Sequence, residues 1–265
     1  MLVIKDVYKT FHPGTINEKK ALNGINLVLE DGDFVTLIGG NGAGKSTLLN
    51  MVAGVHIPDA GAILLDGINI TNLPEYKRAK YLGRVFQDPM MGTAADMWIE
   101  ENLALAARRG QPRTLRWAIT RKEREEFREI LKPLGLGLEN RLSTKVGLLS
   151  GGQRQALTLL MAAMRRPKLL LLDEHTAALD PKTAATVLEL SDRFIEEGHL
   201  TAMMVTHNMK DAIVHGNRLI MMHEGQVILD IRGEEKKKLT VEELLEAFTK
   251  ASGAEFANDR ALLSK

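Results

Sequence analysis

The sequence predicts an α/β protein: a mostly parallel, helix-covered sheet with short strands and turns at its start and a helical region inserted in the middle. Three observations predict it. An apolar, β-branched run ends in a glycine-rich loop that opens a helix. A second apolar run, Leu169-Leu170-Leu171-Leu172, ends in two carboxylates. Between them, residues 90–166 carry helical rather than alternating texture.

Taken in order, strands are expected over 2–7, 25–29 and 34–38, with a Glu30-Asp31-Gly32-Asp33 turn before the third. A helix over 45–53 follows the glycine-rich loop, with Gly54 and Pro58 as stop signals. The inserted region divides into helical stretches at 95–109, 120–134 and 150–166. Alternation then returns: strand 169–172, helix 181–197 closed by Gly198, strand 201–206, a short helix, and a hairpin over 219–231 that turns at Glu224-Gly225. The charged run Glu234-Glu235-Lys236-Lys237-Lys238 reads as a solvated linker. Thr240 and Glu243 form a capping-box pair that opens a terminal helix over 241–251.

The 265 residues are 45% hydrophobic, 26% charged and 5% aromatic, which is a folding composition and not a disordered one. A formal charge of +1 supplies no global basic field for nucleic acid or an anionic membrane. The absence of cysteine removes disulfides, thiolate catalysis and Cys-ligated zinc. The N-terminus turns polar within a few residues and no apolar run approaches the ~20 residues of a membrane span, so neither a signal peptide nor a crossing helix is expected.

Gly39-Gly40-Asn41-Gly42-Ala43-Gly44-Lys45-Ser46 fits the phosphate-loop pattern in its required context between strand and helix. Glycines let backbone N–H groups converge on phosphate oxygens, and the helix N-terminus adds partial positive charge. Lys45 is expected on the β- and γ-phosphates, Ser46 on Mg²⁺ and Thr47 on the α-phosphate. Asp173, ending the second apolar strand, is expected to hold Mg²⁺ through water, and Glu174 to polarise the attacking water as general base.

Leu149-Ser150-Gly151-Gly152-Gln153 opens a helix whose apolar positions Ala156, Leu157, Leu160 and Met164 follow helical spacing. Ser150 and Gln153 can form a capping box, which is the plain reading. Two glycines in the first turn cost stability, which makes sense where exposed N–H groups must approach an anion. A second phosphate cradle in one fold suggests service to another subunit's nucleotide.

On these motifs and their order the chain resembles the ATP-binding subunit of ABC transporters, over essentially residues 1–250. Val85-Phe86-Gln87 resembles the family's Q-loop, Thr176-Ala177-Ala178-Leu179-Asp180 its D-loop, and Val205-Thr206-His207 its switch-histidine segment. Phe11 sits where the family places an aromatic against adenine. The resemblance implies a P-loop NTPase of ABC type: α/β, with a mixed sheet core, an N-terminal antiparallel β subdomain and an inserted α-helical subdomain. It divides the chain into a single ABC ATPase domain over 1–250, with 1–88 and 167–232 as catalytic core and 89–166 as signature subdomain. Residues 233–265 are left as linker, helix and tail.

It also implies ATP and Mg²⁺ as cofactors, with Gln87 sensing Mg²⁺ and the γ-phosphate, His207 contacting the γ-phosphate and orienting Glu174 or the water, and Asp180 coupling two sites. Two copies would pack head-to-tail, the phosphate loop of one and the Ser150 segment of the other enclosing each ATP. Two departures stand out. The family commonly has Pro after the catalytic Glu, where this chain has His175, and Phe11 replaces a Tyr, which keeps the stacking face. Residues 110–120, with Arg113, Arg116 and Trp117, read as a solvated basic loop or a contact to a membrane partner. Met90, Met91, Trp98 and Ile99 fall where the family forms a groove for its permease.

The expectation is therefore an ATP-hydrolysing subunit at the cytoplasmic face of the membrane. It would be held there by permease subunits and would drive import, with amino acids, aromatic ones above all, as the solute class. An extracytoplasmic substrate-binding protein would be an indirect partner, and nucleic acid none. The alternatives are an exporter's ATPase subunit and a soluble ABC ATPase acting on DNA or ribosomes; the latter class carries tandem halves, coiled-coil insertions, metal-binding Cys or basic arms.

Overall fold

The computed structural model describes residues 1–112 and 119–252. Arg113, Arg116 and Trp117 of the expected basic loop lie outside the described residues, as does the tail from 253. Strands β1 (Leu2–Phe11), β2 (Lys19–Leu29) and β3 (Phe34–Gly39) lead to helix α1 (Lys45–Ala53), then β4 (Ala60–Leu65), β5 (Ile68–Asn69) and the short α2 (Glu75–Arg78). Strand β6 (Leu82–Val85) precedes α3 (Ile99–Ala107), α4 (Arg121–Leu131) and α5 (Gly151–Ala163), and β7 (Leu169–Asp173) precedes α6 (Pro181–Gly198). Then follow β8 (Ala202–Val205), α7 (Met209–Val214), β9 (Arg218–His223), β10 (Gln226–Arg232), α8 (Gly233–Lys238) and α9 (Val241–Ser252). Two compact units result, one of residues 1–78 with the chain from Leu200, the other of residues 79–199.

The first unit holds an antiparallel sheet of order β2-β1-β4-β5. Beside this, β3 runs parallel to both β8 and β9, and β9 pairs antiparallel with β10, so the second sheet is mixed. Every residue of β3 is buried, as expected of a strand covered on both faces. One of its core clusters joins Ile38 of β3 to Met209 and Ala212 of α7, Leu219 and Met221 of β9, and Leu244 and Phe248 of α9. Thr36 enters this apolar interior with its hydroxyl donating to Ala212 O at 2.8 Å, so its burial leaves no donor unsatisfied.

Arg78, fully buried, closes the far end of α1. Its guanidinium donates to Met51 O (2.7 Å) and Val52 O (2.9 Å) of that helix, and to Leu73 O (2.6 Å) and Thr71 O (2.9 Å). Burial pushes its pKa down to about 10, which leaves it charged at neutral pH against the negative end of the helix dipole.

In the second unit β6 and β7 pair in parallel, Leu82 opposite Leu169 through Val85 opposite Leu172. Helix α5 buries Ala156, Leu157, Leu159 and Leu160. No described helix is long and apolar enough to cross a membrane.

Four local expectations change. The run 234–238 is the helix α8 and not a solvated linker: Lys236 is 2% exposed, with its ammonium on His215 O and Gly216 O at the end of α7. Those carbonyls need a donor, and a lysine on a flexible stem reaches them. The first inserted helix begins at Ile99 and not 95, because Trp98 is extended and its N–H donates to Glu101 Oε2 at 2.7 Å. The residue that closes α6 in the left-handed region is His199, at φ 48, with Gly198 still helical. Strands β4, β5 and β6 were not anticipated.

Candidate functional site

In the first unit, β3 delivers the chain into the glycine-rich loop. Gly39 has φ 150, and a Cβ there would lie 2.2 Å from Met222 O; Gly44 has φ 101, and a Cβ there would meet Ala21 O at 2.5 Å. Both positions are glycine because neighbouring backbone stands where a side chain would begin. The β9–β10 turn, with Glu224 at φ 46 and Gly225 at φ 74, backs the loop: Gly225 N–H donates to Ala43 O at 3.0 Å.

Helix α1 starts at Lys45 with Gly44 as its N-cap, no capping side chain and no acid in its first turn. Its first N–H groups and positive dipole end are thus available to an anion. Lys45 is 5% exposed, and its ammonium donates to Gly39 O (2.8 Å) and Gly40 O (3.1 Å), two neutral acceptors that a phosphate oxygen outcompetes by charge. Asn41, Gly42 and Ser46 are exposed, and Thr47 is half-buried. A hydroxyl at Ser46 suits a hard cation shared with phosphate oxygens.

Phe11, half-buried at the end of β1, has the His56 ring edge-on at 5.3 Å between centroids and the Lys9 ammonium 5.8 Å from its ring centre. His207 is half-buried between β8 and α7. The next residue, Asn208, caps α7 by accepting from Lys210 N–H at 2.9 Å and Asp211 N–H at 3.3 Å. The loop, Phe11 and His207 all belong to this unit.

The second unit carries the remaining candidates. Gln87 is exposed on a bend just after β6. Asp173 ends β7, and its carboxylate accepts from Arg84 of β6 at 3.1 Å, both side chains being about 15% exposed. Arg84 also stacks over the Phe86 ring at 4.5 Å. Glu174 is half-buried at φ 46, a left-handed conformation uncommon for a residue with a β-carbon. Ser150 and Gln153 form the expected capping box, Ser150 Oγ accepting from Gln153 N–H at 3.3 Å and Gln153 Oε1 from Ser150 N–H at 3.2 Å.

Gly152 has a packing reason besides the expected anion approach: a Cβ there would lie 2.0 Å from Thr183 Cγ2 of α6. At Gly151 the same atom would make ordinary contact, 3.4 Å from Leu179 Cδ2. Leu149 is buried just before the cap. Asp180 is the N-cap of α6, accepting from Thr183 N–H at 3.1 Å, and hydrogen bonding from the Thr183 side chain, with that backbone bond, holds its carboxyl below the usual range.

Three supports went unread in the sequence. Arg84 partners Asp173; Arg154 donates to Val146 O, Gly147 O and Leu149 O and so rivets the segment before Ser150; and Gln155, fully buried, donates to Phe86 O at 3.1 Å just before Gln87. Nothing local marks them, since each acts on a partner elsewhere in the chain or on backbone.

Residues 22–177 match the family model described as ABC transporter. The chain belongs to the ABC transporter family. As an ATP-binding cassette of that family it hydrolyses ATP. This ABC ATPase is 48% identical over 253 residues to a tyrosine transport ATP-binding protein of Clostridioides difficile, across 94% of this chain and 98% of that one. It is 33% identical to a choline transport ATP-binding protein of Bacillus subtilis, across 86% of this chain and 56% of the relative. Among solved structures, the dimeric form of a bacterial ABC transporter cassette superposes with a TM-score of 0.73 at 31% identity, covering 88% of this ABC ATPase and 98% of that chain. A post-hydrolysis dimer of such a cassette, bound to ADP and Pi, gives 0.72 at 29% identity over the same shares.

Proposed function

We propose that this ABC ATPase energises solute import through permease subunits, with an amino acid, aromatic ones above all, as the solute. The 48% identity to a tyrosine transport ATP-binding protein across nearly the full length of both chains supports that solute class. Residues 89–166 act as the signature subdomain, and 1–88 with 167–232 as the catalytic core. A second copy, held head-to-tail, supplies the Ser150-Gly151-Gly152 segment to the nucleotide, a reading supported by the dimeric cassette structures. A substrate-binding protein outside the membrane is the indirect partner, and the chain works at the cytoplasmic face.

The observation that carries the nucleotide chemistry is the uncapped start of α1 beside Lys45. There the N–H groups of 42–47 and the Lys45 ammonium hold phosphate oxygens, while Phe11 offers its ring face to adenine. Ser46, Asp173 and Gln87 are the candidate groups for Mg²⁺; when bound, the cation would neutralise charge on the phosphates. Glu174 accepts a proton from the attacking water, and His207 orients it. Asp180 carries the state of one site to its twin.

Glu174→Gln tests this reading. It keeps the size of the side chain and removes the base, so the variant should bind ATP, accumulate as a closed dimer by light scattering, and lose turnover by about 100-fold or more. Normal turnover would refute the assignment. Ser150→Arg should bind ATP and stay monomeric; a closed ATP dimer in that variant would remove the trans contribution.

A further inference from the structure

His175 follows Glu174 directly and is only 2% exposed. Its Nε2 lies 3.0 Å from the Oγ of Ser191, a fully buried residue on α6, and Ser191 Oγ donates to Val187 O at 2.9 Å one helical turn earlier. A serine hydroxyl has one proton. With that proton on the Val187 carbonyl, Ser191 accepts and the imidazole donates through Nε2–H. In that arrangement Nε2 carries the proton and the ring is held in place against α6.

What it fixes lies one peptide bond away. Glu174 keeps φ 46, a conformation that a residue with a β-carbon holds only where its surroundings over-determine it. The following segment is turned by Ala177 N–H on Glu174 O (3.0 Å) and Leu179 N–H on Thr176 O (3.1 Å), and Asp180 then caps α6. Those bonds shape the segment locally. The His175 ring adds an anchor to the body of α6, three turns into that helix.

We propose that His175 is a positioning residue whose Nε2–H bond to Ser191 fastens the Glu174 peptide to α6 and so sets the direction of the Glu174 carboxylate. The inference rests on Glu174 acting as the general base.

The test compares Ser191→Ala, His175→Ala, the double variant and His175→Gln, whose amide can donate to Ser191, all in the full chain. Each alanine variant should lower kcat about tenfold while KM for ATP stays within about twofold, because aim is lost and binding is not. The double variant should fall no further than the worse single, as members of one linkage do. His175→Gln should recover most of the rate. In ¹⁵N spectra the His175 ring should show the Nε2–H tautomer, and Ser191→Ala should abolish that signature. If an alanine variant does not fold, Ser191→Cys, which keeps the volume and weakens the acceptor, gives the same kcat reading.

A Ser191→Ala protein with a lowered melting temperature and an unchanged kcat would overturn the proposal and leave His175 a packing residue. So would losses that multiply in the double variant. Turnover retained in Glu174→Gln would sink the general-base reading instead, whereas a dead Glu174→Gln beside a fully active Ser191→Ala sinks this inference alone.

Discussion

At the phosphate loop of the first unit the backbone itself makes the geometry, whereas the strand end and helix starts of the second unit are held by side chains. Gly39 and Gly44 each lie against a carbonyl oxygen of another strand, and Lys45 leans on carbonyls of its own loop. In the second unit, Arg84 holds Asp173, Ser150 and Gln153 hold each other, Asp180 holds the start of α6 and His175 holds Ser191. The first construction tolerates no side chain where it is tightest. The second can be retuned one hydrogen bond at a time.

Gly44→Ala strikes the backbone-made region where it is tightest. A Cβ at φ 101, 2.5 Å from Ala21 O, should cost about 4 kcal/mol in denaturant unfolding and abolish ATP binding. A midpoint near wild type would mean that the loop yields, and the contrast would fail. Arg78→Met asks whether the far end of α1 matters as much as its start. It strips donors from the buried carbonyls of Met51, Val52, Leu73 and Thr71, and should cost about 3 kcal/mol by the same measurement.

Asp230→Asn probes a charge-held contact within the first unit, the bidentate pair with buried Arg218 at 2.6 and 2.7 Å. The Arg218 hydrogen bond holds the Asp230 carboxyl below its ordinary 3.8, so the pair contributes fully above that pH and is lost as pH falls through the depressed value. Asparagine should cost about 1–2 kcal/mol at pH 7 and flatten the decline of melting temperature below about pH 4. An equally steep acid limb would assign that decline to other carboxylates. Gly151→Ala closes the series from the side-chain-held region. With only van der Waals contact to Leu179 and a helical backbone, it should shift stability by about 0.5 kcal/mol or less. A loss as large as that of Gly44→Ala would erase the distinction between the two regions.

Legibility in the sequence followed the range of the interaction. Helix α1 was read to its observed bounds because its start and stop lie in Gly44 and Gly54, both in the left-handed region that glycine favours. The capping boxes of Ser150 with Gln153 and Thr240 with Glu243 close over four residues, and Glu224-Gly225 makes its turn over two. Strand β6 escaped notice because Leu82-Gly83-Arg84-Val85 offers no alternation. Gly83 is there for α5, whose Ala162 O would stand 2.6 Å from a Cβ, and Arg84 for Asp173.

By itself, then, the sequence determined the phosphate loop, the acidic strand end, the starts of α1, α5, α6 and α9 and the family, since each is written in residues a few positions apart. Only the tertiary structure decided that Lys236 is buried at the end of α7, that Arg78 seals α1, that Arg84 partners Asp173 and that His175 is tied to Ser191. In each of these a polar group gives up water for a partner on another element. No local pattern records such an exchange, because its free energy exists only once the fold has brought the two together.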